Sequence, residues 1–129
     1  MKIHHVALWS RNIQRLAAFY AQYFEASPGD LYVNEKKGFS SIFLRFSDGA
    51  SLELMNMASI PENPKDPEKQ HLGFIHLAIS VGSVEKVDAK TEELRKDGYG
   101  ILSEPRWTGD GYYESCVCDP DGNRIEITL

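Results

Sequence analysis

The sequence predicts an α+β fold made of two tandem βαβββ modules, on three observations: a His-centred strand that occurs twice, a helical pattern directly after each copy, and an Asp- and Gly-rich reversal before the last strand of each half. The two copies are Ile3-His4-His5-Val6-Ala7-Leu8-Trp9-Ser10 and Phe74-Ile75-His76-Leu77-Ala78-Ile79-Ser80-Val81, in register when His5 is set on His76. Both alternate with the period of a strand.

The helices come next. Ile13, Leu16, Ala17, Tyr20, Tyr23 and Phe24 recur at helical spacing in the first half, and Val84, Val87, Thr91 and Leu94 do so in the second. Asn12 and Ser83 are the expected N-caps, because their short side chains can accept an unpaired amide of the first turn, and Gly98 is the expected residue just past the second helix. Strand-like runs follow over Leu31–Glu35, Ser41–Phe46 and Ser51–Met57, then over Gly100–Glu104, Tyr113–Cys118 and Arg124–Leu129. Ser47-Asp48-Gly49 and Asp119-Pro120-Asp121-Gly122 supply the tight reversals. Between the halves, Pro61, Pro64 and Pro67 stand among charged residues and read as a linker, either a plain connection or a lid. The expected organisation is one domain over 1–129, with module 1 at about 1–57, the linker at about 58–72 and module 2 at about 73–129.

At 129 residues, 42% hydrophobic and 26% charged, the composition is that of one compact soluble domain. No apolar run approaches the ~20 residues needed to span a bilayer, and the first residues lack a secretory pattern, so no membrane association and a cytoplasmic location are expected. A net charge of −5 with both signs interspersed offers no basic stripe for phosphates. Nucleic acid is therefore not an expected partner, and a small molecule is. Cys116 and Cys118 lie two residues apart in one strand, on one face, and read as reduced core thiols rather than a bridge or a zinc pair.

Alternation also sorts the polar residues. Val6 and Leu8, Leu77 and Ile79, Leu52 and Leu54, and Ile125 and Ile127 make the apolar faces that pack on helices. His5, Glu53, His76 and Glu126 all fall on the opposite face. His5 and Glu53 are 48 residues apart and His76 and Glu126 are 50 apart, so the pairs occupy equivalent places in the two copies. Two imidazoles and two carboxylates suit a divalent ion, namely Zn²⁺, Ni²⁺, Co²⁺, Mn²⁺ or Fe²⁺, with coordination positions left for water or substrate. Ala7 and Ala78, two residues beyond each histidine, keep the space beside them free of bulk. Against this stands the plainer reading that a Glu or His on an open sheet face is a solvated residue.

The chain resembles the vicinal oxygen chelate superfamily, which includes glyoxalase I, methylmalonyl-CoA epimerase, fosfomycin-resistance proteins, extradiol dioxygenases and bleomycin-binding proteins. The resemblance is carried by His5-Val6-Ala7-Leu8 with Phe19-Tyr20, by Leu52-Glu53-Leu54, by His76-Leu77-Ala78-Ile79-Ser80-Val81, and most specifically by Asp119-Pro120-Asp121-Gly122-Asn123-Arg124-Ile125-Glu126. It implies a cupped, mostly antiparallel sheet with helices on its outer face. It also implies metal ligation by His5, Glu53, His76 and Glu126, with Zn²⁺ or Ni²⁺ first among the candidates, and a homodimer, in which some members exchange modules between chains. The full His/Glu/His/Glu set is most similar to glyoxalase I, which implies a lyase or isomerase acting on a small α-oxo or α-hydroxy-carbonyl compound through an enediolate. Glu126, or else Glu53, is the catalytic base on that reading.

Three features depart from glyoxalase I or stay open. Where that enzyme commonly has an Asn four residues after the first Glu ligand, this chain has Met57, with Asn56 one residue early. Arg11, Arg45 and Arg106 are either substrate-anion partners or solvated charges, and Trp9, Phe74 and Trp107 are either cavity walls or core and subunit contacts. The competing functions are a small-molecule binding or resistance protein of the same fold, and a ring-cleaving dioxygenase or fosfomycin-type transferase, for which three protein ligands would be expected. His4 and His71 read as surface residues.

Overall fold

The computed structural model describes residues 1–62, 64 and 66–129, so Asn63 and Lys65 of the expected linker lie outside the described residues. The chain divides into two compact units, Met1–Asn63 and Pro64–Leu129, each built of one helix and one mixed sheet. The fold is α+β, a tandem pair of βαβββ modules.

The first unit runs β1 (His5–Trp9), α1 (Ile13–Phe24), β2 (Ser27–Pro28), β3 (Tyr32–Asn34), a 3₁₀ turn (Glu35–Lys37), β4 (Phe39–Arg45) and β5 (Ser51–Met57). The strand order is β1-β5-β4-β2, with β3 also on β4; β1 lies parallel to β5 and every other pair is antiparallel. The second unit runs β6 (His76–Ser80), α2 (Val84–Lys96), β7 (Ile101–Trp107), β8 (Tyr113–Cys118) and β9 (Arg124–Thr128), in the order β6-β9-β8-β7, with β6 parallel to β9. Among the described residues, no helix is long and apolar enough to cross a membrane.

Both helices begin where the caps predicted. The Asn12 side chain accepts the Arg15 amide at 2.9 Å and Ser83 accepts that of Lys86 at 3.2 Å. Helix α1 buries a broad stripe that includes Leu16, Phe19 and Tyr20 against the face of Ile42, Leu44, Leu52 and Leu54. Helix α2 is far more polar and buries only Val87, Thr91 and Leu94, against the side of its sheet that carries Val117, Ile125 and Ile127. There the Thr91 hydroxyl bonds the Val87 carbonyl and meets Ser115 Oγ, tying helix to sheet.

Beyond strand ends shifted by one or two residues, such as β4 starting at Phe39 rather than Ser41, the strands differ from expectation in three places. Glu35 leaves the strand and opens the 3₁₀ turn, because Asn34 caps it by accepting the Lys37 amide and Gly38, at φ 59°, closes it. Strand β2 went unpredicted, since a two-residue segment ending in Pro28 carries no periodicity; it exists by pairing with β4. Strand β7 continues through Pro105 to Trp107, past the predicted end at Glu104. It can do so because it is the outermost strand and its register shifts between Ser103 and Arg106, so the missing amide breaks no regular ladder. Cys116 and Cys118 are free, buried thiols, as expected.

Candidate functional site

Each of the two predicted His/Glu pairs is assembled by the same parallel contact. In β1 and β5, Ala7 stands opposite Glu53 and His5 lies two residues upstream; in β6 and β9, Ala78 stands opposite Glu126 and His76 lies two residues upstream. The small alanine lets each imidazole lean across it toward the carboxylate on the next strand. His5 Nε2 is 3.7 Å from Glu53 Oε2, and His76 Nε2 is 3.0 Å from Glu126 Oε2. The glutamates are the more covered partners, at 17% and 22% side-chain exposure against 39% and 36% for the histidines. Burial pushes the Glu126 carboxyl above the usual carboxylate range, against the opposing pull of His76 beside it. Among the described residues, no group of three or more His, Cys, Asp or Glu side chains comes together as a metal site.

His4, read from the sequence as a surface residue, bears directly on the first pair. Its Nδ1 lies 2.8 Å from His5 Nδ1, so one ring must carry the proton that the other accepts. With Nδ1 engaged and the ring held edge-on against Phe43 at a centroid distance of 5.4 Å, His5 presents Nε2 to Glu53. A fixed partner on the far nitrogen is what orients a ligating imidazole. The doublet His4-His5 was the only signal for this in the sequence.

A cavity of about 430 Å³ opens beside Glu53, wholly within the first unit. Its wall is the β4 row of Phe39, Ser41, Phe43 and Arg45, and Gly29, Asp30 and Tyr32 also line it. Of these, only Arg45 was singled out in the sequence. The other two arginines are committed elsewhere. Arg11 bonds Glu62 at 2.7 Å and the carbonyls of Met57, Ala58 and Ile60, which pins the chain just after β5; Arg106 lies 3.8 Å from Glu114 across the β7–β8 pair. Trp9 stands beside Phe39 at 6.2 Å, whereas Trp107 packs on Tyr113 and Phe74 is almost fully exposed. Asn56 spends its amide on the Ser10 carbonyl at 2.7 Å, on the opposite face of β5 from Glu53.

The Asp-Pro-Asp-Gly-Asn run is a built turn. Asp119, 3% exposed, accepts the amides of Asp121 and Asn123 through Oδ1 and the Asn123 side-chain amide through Oδ2. It sets the start of β9, and hence the position of Glu126 in that strand.

Solved structures share this architecture. A glyoxalase/bleomycin resistance protein/dioxygenase domain from Frankia sp. EAN1pec superposes with a TM-score of 0.82 at 19% identity, covering 100% of this chain and 97% of that one. A glyoxalase family protein from Enterococcus faecalis gives 0.77 at 26% identity, with 99% and 97% covered. A mutant of glyoxalase I from Zea mays gives 0.77 at 19% identity, with 98% of this chain covered; this chain spans only 44% of that one. No curated protein matches in sequence. The model of the Glyoxalase/Bleomycin resistance protein/Dioxygenase superfamily matches residues 2–127, and the chain therefore belongs to that superfamily.

Proposed function

We propose that the protein is a metal-dependent, glyoxalase-like lyase or isomerase acting on a small α-oxo or α-hydroxy-carbonyl compound, with His5, Glu53, His76 and Glu126 as ligands of a divalent ion. The observation that carries this reading is the equivalence of the two pairs: the same Ala-facing-Glu contact presents an imidazole Nε2 and a carboxylate oxygen together in both modules. Independent surface residues have no reason to repeat that geometry. The donors fit Zn²⁺ or Ni²⁺ first, and Co²⁺, Mn²⁺ or Fe²⁺ after them.

A divalent ion, when bound, supplies positive charge to the oxyanion that develops on the substrate. The rest of the chemistry belongs to the chain. One glutamate takes the proton from the carbon α to the carbonyl and returns it to the neighbouring carbon, so the substrate is isomerised with no net gain or loss of protons or electrons. Glu126 is taken as that base, with Glu53 as the alternative. His4 keeps His5 aligned. A homodimer is part of the same reading.

Elemental analysis of the untagged protein beside a Glu53→Gln/Glu126→Gln double variant tests it. About one divalent ion per chain, lost in the variant, is expected, followed by turnover of α-oxo-aldehyde hemithioacetals. An ion-free protein that stays so after reconstitution would refute the proposal and promote a binding protein of the same fold.

A further inference from the structure

We infer that the cavity beside Glu53 holds a carboxylate of the substrate, and that Arg45 is the residue that selects it. The inference deepens the proposed function, taking Glu53 as the reacting end and assigning the far end of the same molecule.

Three observations carry it. First, Arg45 is the sole cation among the cavity-lining residues, and among the described residues it forms no ion pair, unlike Arg11, Arg95 and Arg106. An unpaired guanidinium in a concavity offers a ready two-pronged site for a carboxylate. Second, register fixes its reach. Phe43 stands opposite Glu53, and Arg45 lies two residues further along β4 on the same face, diagonal to Glu53. Diagonal positions of an antiparallel pair are about 7–8 Å apart, so a molecule bound at both ends needs a body several atoms long. Phe39 and Phe43 give that body an apolar wall, and the buried Ser41 hydroxyl adds a polar point between them. Third, Gly29 puts no side chain against the guanidinium: a Cβ there would sit 3.6 Å from Arg45 Nη1.

The other charges in the cavity narrow the class. Asp30 and Glu53 also line it, so a phosphate dianion meets more repulsion than a singly charged carboxylate does. The ligand class is an organic monocarboxylate with an apolar body.

The test is an amide-resolved NMR titration of the full chain, with its metal content measured, using 4-phenylbutyrate, its neutral amide and phenyl phosphate as probes. The carboxylate should shift the amides of Gly29, Ser41 and Phe43 and bind about tenfold more tightly than the amide does. Phenyl phosphate should be the weaker of the two anions. Arg45→Gln should abolish the preference for the carboxylate, Arg45→Lys should keep part of it, Asp30→Asn should strengthen carboxylate binding, and Arg106→Gln, an equal change of charge elsewhere, should leave it intact. Equal binding of acid and amide, tighter binding of phosphate, or shifts confined to other residues would overturn the inference. No turnover is read, so failure here leaves the lyase proposal standing, and an ion-free protein in the elemental analysis leaves this result standing.

Discussion

Removing the Thr91 hydroxyl should cost more than removing the Ser115 hydroxyl, although the two touch each other. They are 2.6 Å apart at 1% and 0% exposure, on the helix and the sheet of the second unit. Thr91 Oγ1 has one proton and gives it to the Val87 carbonyl at 2.7 Å. The bond between the hydroxyls must then be donated by Ser115. Ser115→Ala consequently leaves every remaining group partnered and loses one bond, at about 1 kcal/mol. Thr91→Val keeps the shape but strands the Ser115 proton in a buried interface, at about 2–3 kcal/mol. The double variant removes both hydroxyls and should be no less stable than Thr91→Val alone, a coupling of about 1 kcal/mol. Equilibrium unfolding in urea, with an unchanged denaturant slope, measures all three values. Additive losses, or a larger loss for Ser115→Ala, would refute the donor assignment.

Three further outcomes follow from the second unit. Asp119→Ala gives up three hydrogen bonds in the turn before β9 and should lower stability by about 2–3 kcal/mol, measured by the same unfolding experiment; a loss under about 1 kcal/mol would show that water replaces the carboxylate. Burial pushes the Cys116 and Cys118 thiols above the ordinary thiol range, so both should resist a thiol-specific disulfide reagent in the native protein and react fully once it is unfolded. The folded thiols ionise at higher pH than the unfolded ones. Their stabilisation is therefore complete below about pH 8.5 and is lost as pH rises through the folded values. A Cys116→Ala/Cys118→Ala variant should show a flatter alkaline decline; an unchanged decline would mean that other groups set it.

Much of this molecule was legible in the sequence because its information is local or repeated. Strand alternation alone assigned His5, Glu53, His76 and Glu126 to the faces opposite the helices, and Asn12 and Ser83 marked both helix starts. The repeat then made each half a check on the other. What the tertiary structure decided were matters of neighbourhood across long stretches of chain. Arg11, Arg45 and Arg106 look alike in the sequence; only the fold shows that the first clamps the chain after β5, the second lines a cavity with no ion pair among the described residues and the third faces Glu114. His4 gained its part from a ring beside it, and Pro105 its place in a strand from lying at a sheet edge. Periodicity records which face a side chain occupies, whereas the use of a charge depends on what stands within a few ångströms of it, and that is settled only when distant segments pair.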